Sequence, residues 1–209
     1  MAIHQIKISS RAQLMGSFVA ISLMLLAGIT CVSVLAARLD EARADAEERY
    51  ERSWVHSVLT GIEPDSGVLE ISRRKNLAGA AKTALVVMFQ IKSEVGVLAH
   101  AIKWTASGGY NGPIDLAIGV DLKGRIVGFR VLQHHETSGF GDVIGDPKSP
   151  WVTSFLGRSL VNPKPRQWQL RENGGAIDGI SGATITANAV LNGLSQALLF
   201  IDQVESKPQ

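Results

Sequence analysis

Cysteine is nearly absent from this chain, and its scarcity removes several kinds of site. Cys31 is the only cysteine among 209 residues, which excludes an intrachain disulfide and a cysteine-rich metal centre. Charge is also sparse, at 19% of residues with a net charge of +2, against a hydrophobic content of 45%. A packed core is therefore expected, and the lack of a basic cluster with interleaved aromatics argues against nucleic acid as a partner.

Charged residues are missing altogether between Arg11 and Arg38. A bilayer core of ~30 Å needs ~20 apolar helical residues, so residues 12–37 predict a single transmembrane helix. A cleaved signal peptide is the alternative, but its apolar part is usually only ~7–15 residues long. Lys7 and Arg11 favour a cytoplasmic tail at residues 1–11, with the rest of the chain outside the cytoplasm.

The sequence beyond the span predicts an α+β class. Residues 38–62 carry opposite charges three or four positions apart, which is typical of a solvated stalk helix, and residues 63–209 are predicted to form one extracytoplasmic domain. Short connections between β-like runs predict a mostly antiparallel sheet, and an amphipathic run to Val204 predicts a closing helix. The β-like runs are residues 83–93, 95–106, 114–121 and 125–134, with a loop at 107–113.

The segment "HHETSGFGD", residues 134–142, is the first candidate site. His134, Glu136 and Asp142 are types that bind zinc, but adjacent histidines on a strand point to opposite faces, and no HExxH pair is present. We therefore assign no metal ligand. Alternatively, Gly139 lets the backbone approach a flat ligand, with Glu136 and Thr137 as hydrogen-bonding groups. An ordinary surface turn explains the segment equally well.

The segment "DGISGATIT", residues 178–186, is the second candidate. Its three hydroxyls come just before the amphipathic helix, so one of them is explained as a helix cap. A glycine beside hydroxyls at a helix N-terminus also suits a phosphate, because unpaired N–H groups and the helix dipole favour an anion there. The lysine of a P-loop is missing, which disfavours nucleotide hydrolysis. Composition alone favours the cap.

These two segments together resemble a known family. Residues Asp178 to Thr184 are similar to the Asp-x-x-(Ser/Thr)-Gly-Ala-Thr signature of the covalent FMN-binding domain. "HHETSGFGD" resembles the His-His-Glu-Thr-Pro-Gly-Leu-Gly-Asp loop of the G-subunit family of Rnf-type electron transport complexes, with Ser138 and Phe140 in place of Pro and Leu. The likeness extends to "GGYNGPIDLAIGVD" and "PWVTSFLGRSL" and is weakest between residues 38 and 80.

The resemblance implies a membrane-anchored flavoprotein that has no soluble substrate of its own. In that family the last threonine of the signature, which corresponds to Thr184 here, carries FMN through a phosphoester bond. A separate flavin transferase makes this bond. The complex couples electron transfer between ferredoxin and NAD to ion movement across the inner membrane, and the domain lies on the periplasmic side. The cofactor-binding residues that we predict are Asp178, Ser181, Gly182, Ala183, Thr184 and Thr186 in one segment and Glu136, Thr137 and Gly139 in the other.

Three other functions stay open at this point. The flavin subunit of the sodium-pumping NADH:quinone oxidoreductase shares the threonine signature, although residues 134–137 and the short chain favour the Rnf type. A membrane-anchored flavin-domain sensor is the second, and extra transmembrane helices or cysteine-rich iron–sulfur motifs would be its marks. The third is a zinc-dependent envelope hydrolase built on His134, Glu136 and Asp142.

We predict that residues 12–37 remain in the mature protein as an uncleaved anchor, because the charge-free run exceeds the apolar part of a usual signal peptide. N-terminal sequencing of protein extracted from membranes should give the native start. A mature start just after Ala36 or Ala37 would contradict the anchor without touching the flavin assignment.

Overall fold

The computed structural model describes residues 2–59, 62, 70–74, 86–93 and 96–206, and the chain divides into two units, residues 1–51 and 52–209. Helix α1 covers Ala2–Val58, the short helix α2 covers Pro150–Thr153, and helix α3 covers Thr184–Glu205. Strands β1 to β5 cover Glu70–Arg74, Val87–Ser93, Gly96–Gly109, Gly112–Asp121 and Ile126–Gln133. A sheet with long helices before and after it confirms the α+β class.

Helix α1 contains the predicted membrane span. From Met15 onward it is long and apolar enough to cross a bilayer, and the side chains of residues 15–50 are exposed. The predicted tail and stalk are continuous with the span, because residues 2–58 form one helix. That helix ends at Val58, before the predicted end of the stalk at residue 62.

The five strands form one antiparallel sheet in the order β1-β2-β3-β4-β5. The mostly antiparallel sheet that the sequence predicts is confirmed, and β1 is an additional strand in the stretch where the resemblance was weakest. Strands β3 and β4 also extend into the predicted loop at 107–113, leaving Tyr110 and Asn111 as the turn between them. Positive φ angles at Gly108 (+90°) and Gly112 (+129°) allow so tight a connection.

The last turns of α1 belong to the second unit and cover one face of the sheet. Trp54, Val55 and Val58 are buried there at helical spacing. The Trp54 ring packs edge-on against Phe89, with 5.3 Å between ring centroids. The prediction of a solvated stalk is therefore wrong for its last turns, because three apolar side chains on one side of the helix pack against the sheet.

Two glycines let the end of α1 approach the sheet closely. Gly119 of β4 and Gly128 of β5 are direct neighbours in the strand register. A Cβ atom added at either one would overlap the carbonyl oxygen of Val58. The helix end therefore lies directly on the backbone of these two strands.

Helix α3 covers the opposite face. The apolar face predicted for it is buried, with Val190, Leu194 and Ile201 among the core residues. A Cβ atom at Gly193 would lie 2.5 Å from the Cβ of Ala106, so the helix packs close to β3. The tight packing fixes where the helix begins relative to the β3–β4 turn.

We predict that Gly128→Ala destabilises the second unit by roughly 1–3 kcal/mol, because the new methyl group meets a backbone carbonyl that no rotamer change can move. Thermal unfolding of the full chain should show a lower Tm. Gly179→Ala is the matched control, since its added Cβ has one neighbour, at an ordinary 3.9 Å. Equal Tm values for the two variants would contradict the close approach of α1.

Candidate functional site

The two predicted segments meet at one cleft of about 530 Å³. This volume is within the range of small-molecule sites, roughly 300–1,000 Å³. Its walls come from the β3–β4 turn, the loop after β5 and the start of α3. The lining residues are Tyr110, Glu136, Thr137, Phe140, Gly141, Gly182, Ala183, Thr184, Ile185 and Thr186. Most of the predicted site residues are therefore brought together.

Helix α3 begins without a side-chain cap, so the cap interpretation of the hydroxyls is wrong. The N-cap residue is Ala183, with φ −140° and ψ 42°, and no side chain makes a capping hydrogen bond. Gly182 adopts φ +73°, which turns the chain tightly into the helix and leaves Ser181 exposed. The Thr186 hydroxyl, at the third helical position, donates to a carboxylate of the loop after β5 instead.

The uncapped first turn leaves backbone donors at the cleft. The first hydrogen bond of the helix runs from the Ala187 N–H to the Ala183 carbonyl at 3.0 Å. The N–H groups of Thr184, Ile185 and Thr186 therefore have no acceptor within the helix. The Thr184 side chain is exposed at this same end. Free N–H groups and the positive end of the helix dipole make this turn suitable for a phosphate.

Glu136 is the acidic side chain of the cleft and is only 8% exposed. One carboxylate oxygen accepts from the Thr186 hydroxyl, and the other accepts from the Asn111 N–H at 3.2 Å. Added Cβ atoms at Gly109 and Gly141 would lie 2.8 and 3.0 Å from these two oxygens. The carboxylate is thus enclosed by two glycines, and it links the loop after β5 to the β3–β4 turn and to α3.

Asp142 holds the loop that follows Glu136. Its carboxylate accepts from the Gly139 N–H at 3.0 Å and from the Ser138 hydroxyl at 3.2 Å. The Gly139 N–H, with the Ser138 hydroxyl, keeps the pKa of Asp142 below its usual value. Ser138, which replaces the proline of the similar loops, therefore contributes a hydrogen bond where proline contributes a fixed φ angle.

The two histidines lie beyond the end of β5, so the strand geometry used to argue against a metal does not apply to them. Strand β5 ends at Gln133. The Nδ1 atom of His134 accepts from the Glu136 N–H at 3.2 Å, whereas His135 is exposed. Within the described ranges, no three His, Cys, Asp or Glu side chains form a group that could hold a metal ion.

Three predicted site residues do not line the cleft: Asp178, Ser181 and Gly139. The Asp178 carboxylate pairs with the Arg171 guanidinium at 3.0 Å, and both side chains are exposed. The Asp178 carbonyl accepts from the Trp151 indole N–H at 2.8 Å. In this structure Asp178 therefore supports the backbone of the segment that precedes α3.

The predicted site residues do not include the large apolar side chains that line the cleft, although Phe140 stood out as a departure from the similar loops. Tyr110, Phe140 and Ile185 line it and are 67%, 57% and 53% exposed. A Cβ atom at Gly182 would lie 3.0 Å from the Phe140 ring, so the two segments also touch here. The signal in the sequence that could have identified them is an apolar residue inside a polar, glycine-rich segment. Their exposed faces are suited to a flat, partly apolar ligand.

Comparisons with known proteins agree with these features. The family model of the FMN-binding domain matches residues 109–199, which contain all the residues that line the cleft. The chain is 34% identical over 186 residues to the G subunit of the ion-translocating oxidoreductase complex of Shewanella amazonensis, covering 85% of this chain and 86% of that protein. It is 32% identical over 200 residues to the same subunit of Haemophilus influenzae, covering 94% and 91%. With that of Cronobacter sakazakii it shares 41% identity over 108 residues, or 52% of each protein.

We predict that Asp142 titrates below the pKa of an unfolded aspartate, ~3.9, because of its hydrogen bonds to the loop. A lowered folded-state pKa contributes stability above the unfolded-state value, and that contribution disappears as the pH falls through the folded-state value. The stability difference between wild type and Asp142→Asn should therefore shrink as the pH falls below ~4. NMR titration of the carboxyl groups measures the pKa of Asp142, and unfolding of both proteins at several pH values measures their stability difference. An Asp142 titration at or above the unfolded value would contradict this account.

Proposed function

Because this chain belongs to the G-subunit family of ion-translocating oxidoreductase complexes, we propose that it carries FMN in the cleft and transfers electrons as the membrane-anchored subunit of such a complex. The observation that carries the proposal is the cleft itself. It combines free backbone donors at a helix N-terminus with exposed apolar faces, inside the region that matches the FMN-binding domain. A flavin mononucleotide has a phosphate for the first and a flat ring for the second.

We propose that FMN is attached by a phosphoester bond to the hydroxyl oxygen of Thr184. Among the hydroxyls of its segment, that of Thr186 is bonded to Glu136 and Ser181 lies outside the cleft lining. The Thr184 hydroxyl is exposed, lines the cleft and belongs to the turn whose N–H groups suit a phosphate. These placements support a covalent link through Thr184 that a flavin transferase makes.

The ring of the flavin is expected to contact the apolar side chains of the cleft, Tyr110, Phe140 and Ile185. Bound FMN supplies one- and two-electron transfer, while the protein supplies its orientation and electrostatic surroundings. The chain offers this cofactor to neighbouring subunits and is not an autonomous enzyme. Ferredoxin and NAD are the redox partners that we propose for the complex as a whole.

The long apolar helix and the G-subunit relatives support membrane anchoring, and we propose the bacterial inner membrane with the domain on the periplasmic side. Residues 12–37 are the span under this proposal, and Lys7 and Arg11 on its N-terminal side support a cytoplasmic tail. The named relatives favour an ion-translocating oxidoreductase over the quinone reductase and the sensor.

We predict that Thr184→Ala abolishes covalent flavin without unfolding the domain. The substitution removes the ester oxygen, and no capping bond is lost because the helix has none from a side chain. The full chain is co-expressed with a flavin transferase, and the intact mass and the fluorescence in a denaturing gel are measured. Wild type should carry one FMN and the variant none, with similar Tm values for the two proteins without flavin. In membranes, the variant should assemble with its partners but lose ferredoxin-dependent reduction of NAD.

Thr184→Ser is the matched control, since it keeps a hydroxyl at the same position and should retain covalent flavin at least in part. Peptide mapping locates the modified residue. Covalent FMN on Thr184→Ala, or on a peptide without Thr184 in wild type, would overturn the attachment site. Undiminished ferredoxin-dependent reduction of NAD by a complex in which this chain carries no flavin would overturn the proposed function.

A further inference from the structure

We propose that Glu136 lowers the reduction potential of the bound flavin through a negative charge that the fold fixes beside the cleft. The inference rests on the proposed function, since it concerns FMN in the same cleft. It assigns to Glu136 a role distinct from attachment.

Glu136 is the only charged side chain among the residues that line the cleft, all of which lie in the described part of the chain. No lysine or arginine is among them. The donors available for a phosphate are backbone N–H groups of α3, which carry partial charges. The lining therefore offers a flavin one full charge, and that charge is negative.

The carboxylate of Glu136 is hydrogen-bonded at both oxygens and shielded from water. Both carboxylate oxygens accept hydrogen bonds, one from the Thr186 hydroxyl and one from the Asn111 N–H. Two-sided acceptance is what an ionised carboxylate does. The side chain is 8% exposed, so water screens its charge poorly and its field extends into the cleft.

The carboxylate is held by its two hydrogen bonds in a space that two glycines leave open. A Cβ atom at Gly109 would collide with the Gly112 carbonyl oxygen and with one oxygen of Glu136, and a Cβ atom at Gly141 would crowd the other oxygen and the Thr186 hydroxyl. Thr186 is two residues after Thr184 on α3. The charge is therefore held at a fixed position relative to the residue that carries the cofactor.

A fixed negative charge has a definite effect on flavin reduction. An anionic reduced ring, which takes up fewer protons than electrons, would carry added negative charge, and Glu136 would raise the free energy of that form relative to the oxidised form. The potential is therefore lower than it would be beside a neutral side chain. Electrostatic tuning of this kind is what a protein contributes to a cofactor whose own chemistry is fixed.

Two substitutions separate the charge from the hydrogen bond. Glu136→Gln removes the charge but keeps the shape and an oxygen that accepts a hydrogen bond. Thr186→Val removes the hydroxyl, with little change of shape, and keeps the charge. A purely structural role of Glu136 predicts the reverse order: an unchanged potential in Glu136→Gln, which can still accept the hydrogen bond, and a shift in Thr186→Val, which cannot donate it.

The experiment measures the midpoint potential of the flavin by spectroelectrochemical titration of the full chain, loaded by a flavin transferase and held in detergent. We expect a more positive potential for Glu136→Gln and a clearly smaller change for Thr186→Val. An unchanged potential in Glu136→Gln, or equal shifts in both variants, would overturn the proposal.

A second pair of variants covers the case in which Glu136→Gln does not accept flavin. Thr137 is exposed and next to Glu136, so Thr137→Lys places a positive charge that offsets the carboxylate, with Thr137→Gln as the neutral control. We expect a positive shift for the lysine variant relative to the glutamine variant, and equal potentials would overturn the proposal. The intact mass separates the two hypotheses. Absence of FMN from the wild-type protein would refute the proposed covalent attachment, whereas an unchanged potential in flavin-loaded protein would refute only the proposed effect of the Glu136 charge.

Discussion

A carboxylate withdrawn from water needs hydrogen-bond donors, and Glu136 finds them on two other elements of the fold. The Asn111 N–H belongs to the β3–β4 turn, and the Thr186 hydroxyl belongs to the first turn of α3. A buried acid deprived of such donors is costly, so these bonds hold the three walls of the cleft together. Tyr110 directly precedes Asn111, and Thr184 is two residues before Thr186, so both lie beside these bonds.

Close backbone approach sets the frame in which that cleft forms. The end of α1 lies on Gly119 and Gly128 on one face of the sheet, while α3 lies against Ala106 through Gly193 on the other. Packing this close leaves little freedom for the helices to slide, because any added side-chain atom would collide with its neighbours. The start of α3 is therefore held at the end of the sheet where the β3–β4 turn emerges.

The division of work along the chain follows from these constraints. An apolar helix provides the membrane anchor, and the sheet with its two helical covers provides a rigid base for the cleft. Under the proposed function, the α3 N-terminus holds the phosphate, the exposed apolar side chains contact the ring, and Glu136 supplies the local charge. The protein then contributes position and electrostatics to a cofactor that carries the electrons between neighbouring subunits.

The sequence by itself determined the features that local physics controls. The charge-free run at 12–37, the β-like runs, the apolar face of α3 and the two candidate segments are all patterns within short windows. Only the tertiary structure decided which groups meet. In the structure the Thr186 hydroxyl donates a hydrogen bond to Glu136, fifty residues away in the chain. Helix α3 has no side-chain cap, although composition favoured one. The fold also turned Tyr110 and Phe140 toward the cleft and Asp178 away from it. Such pairings depend on distances between elements far apart in the chain, which no short window contains.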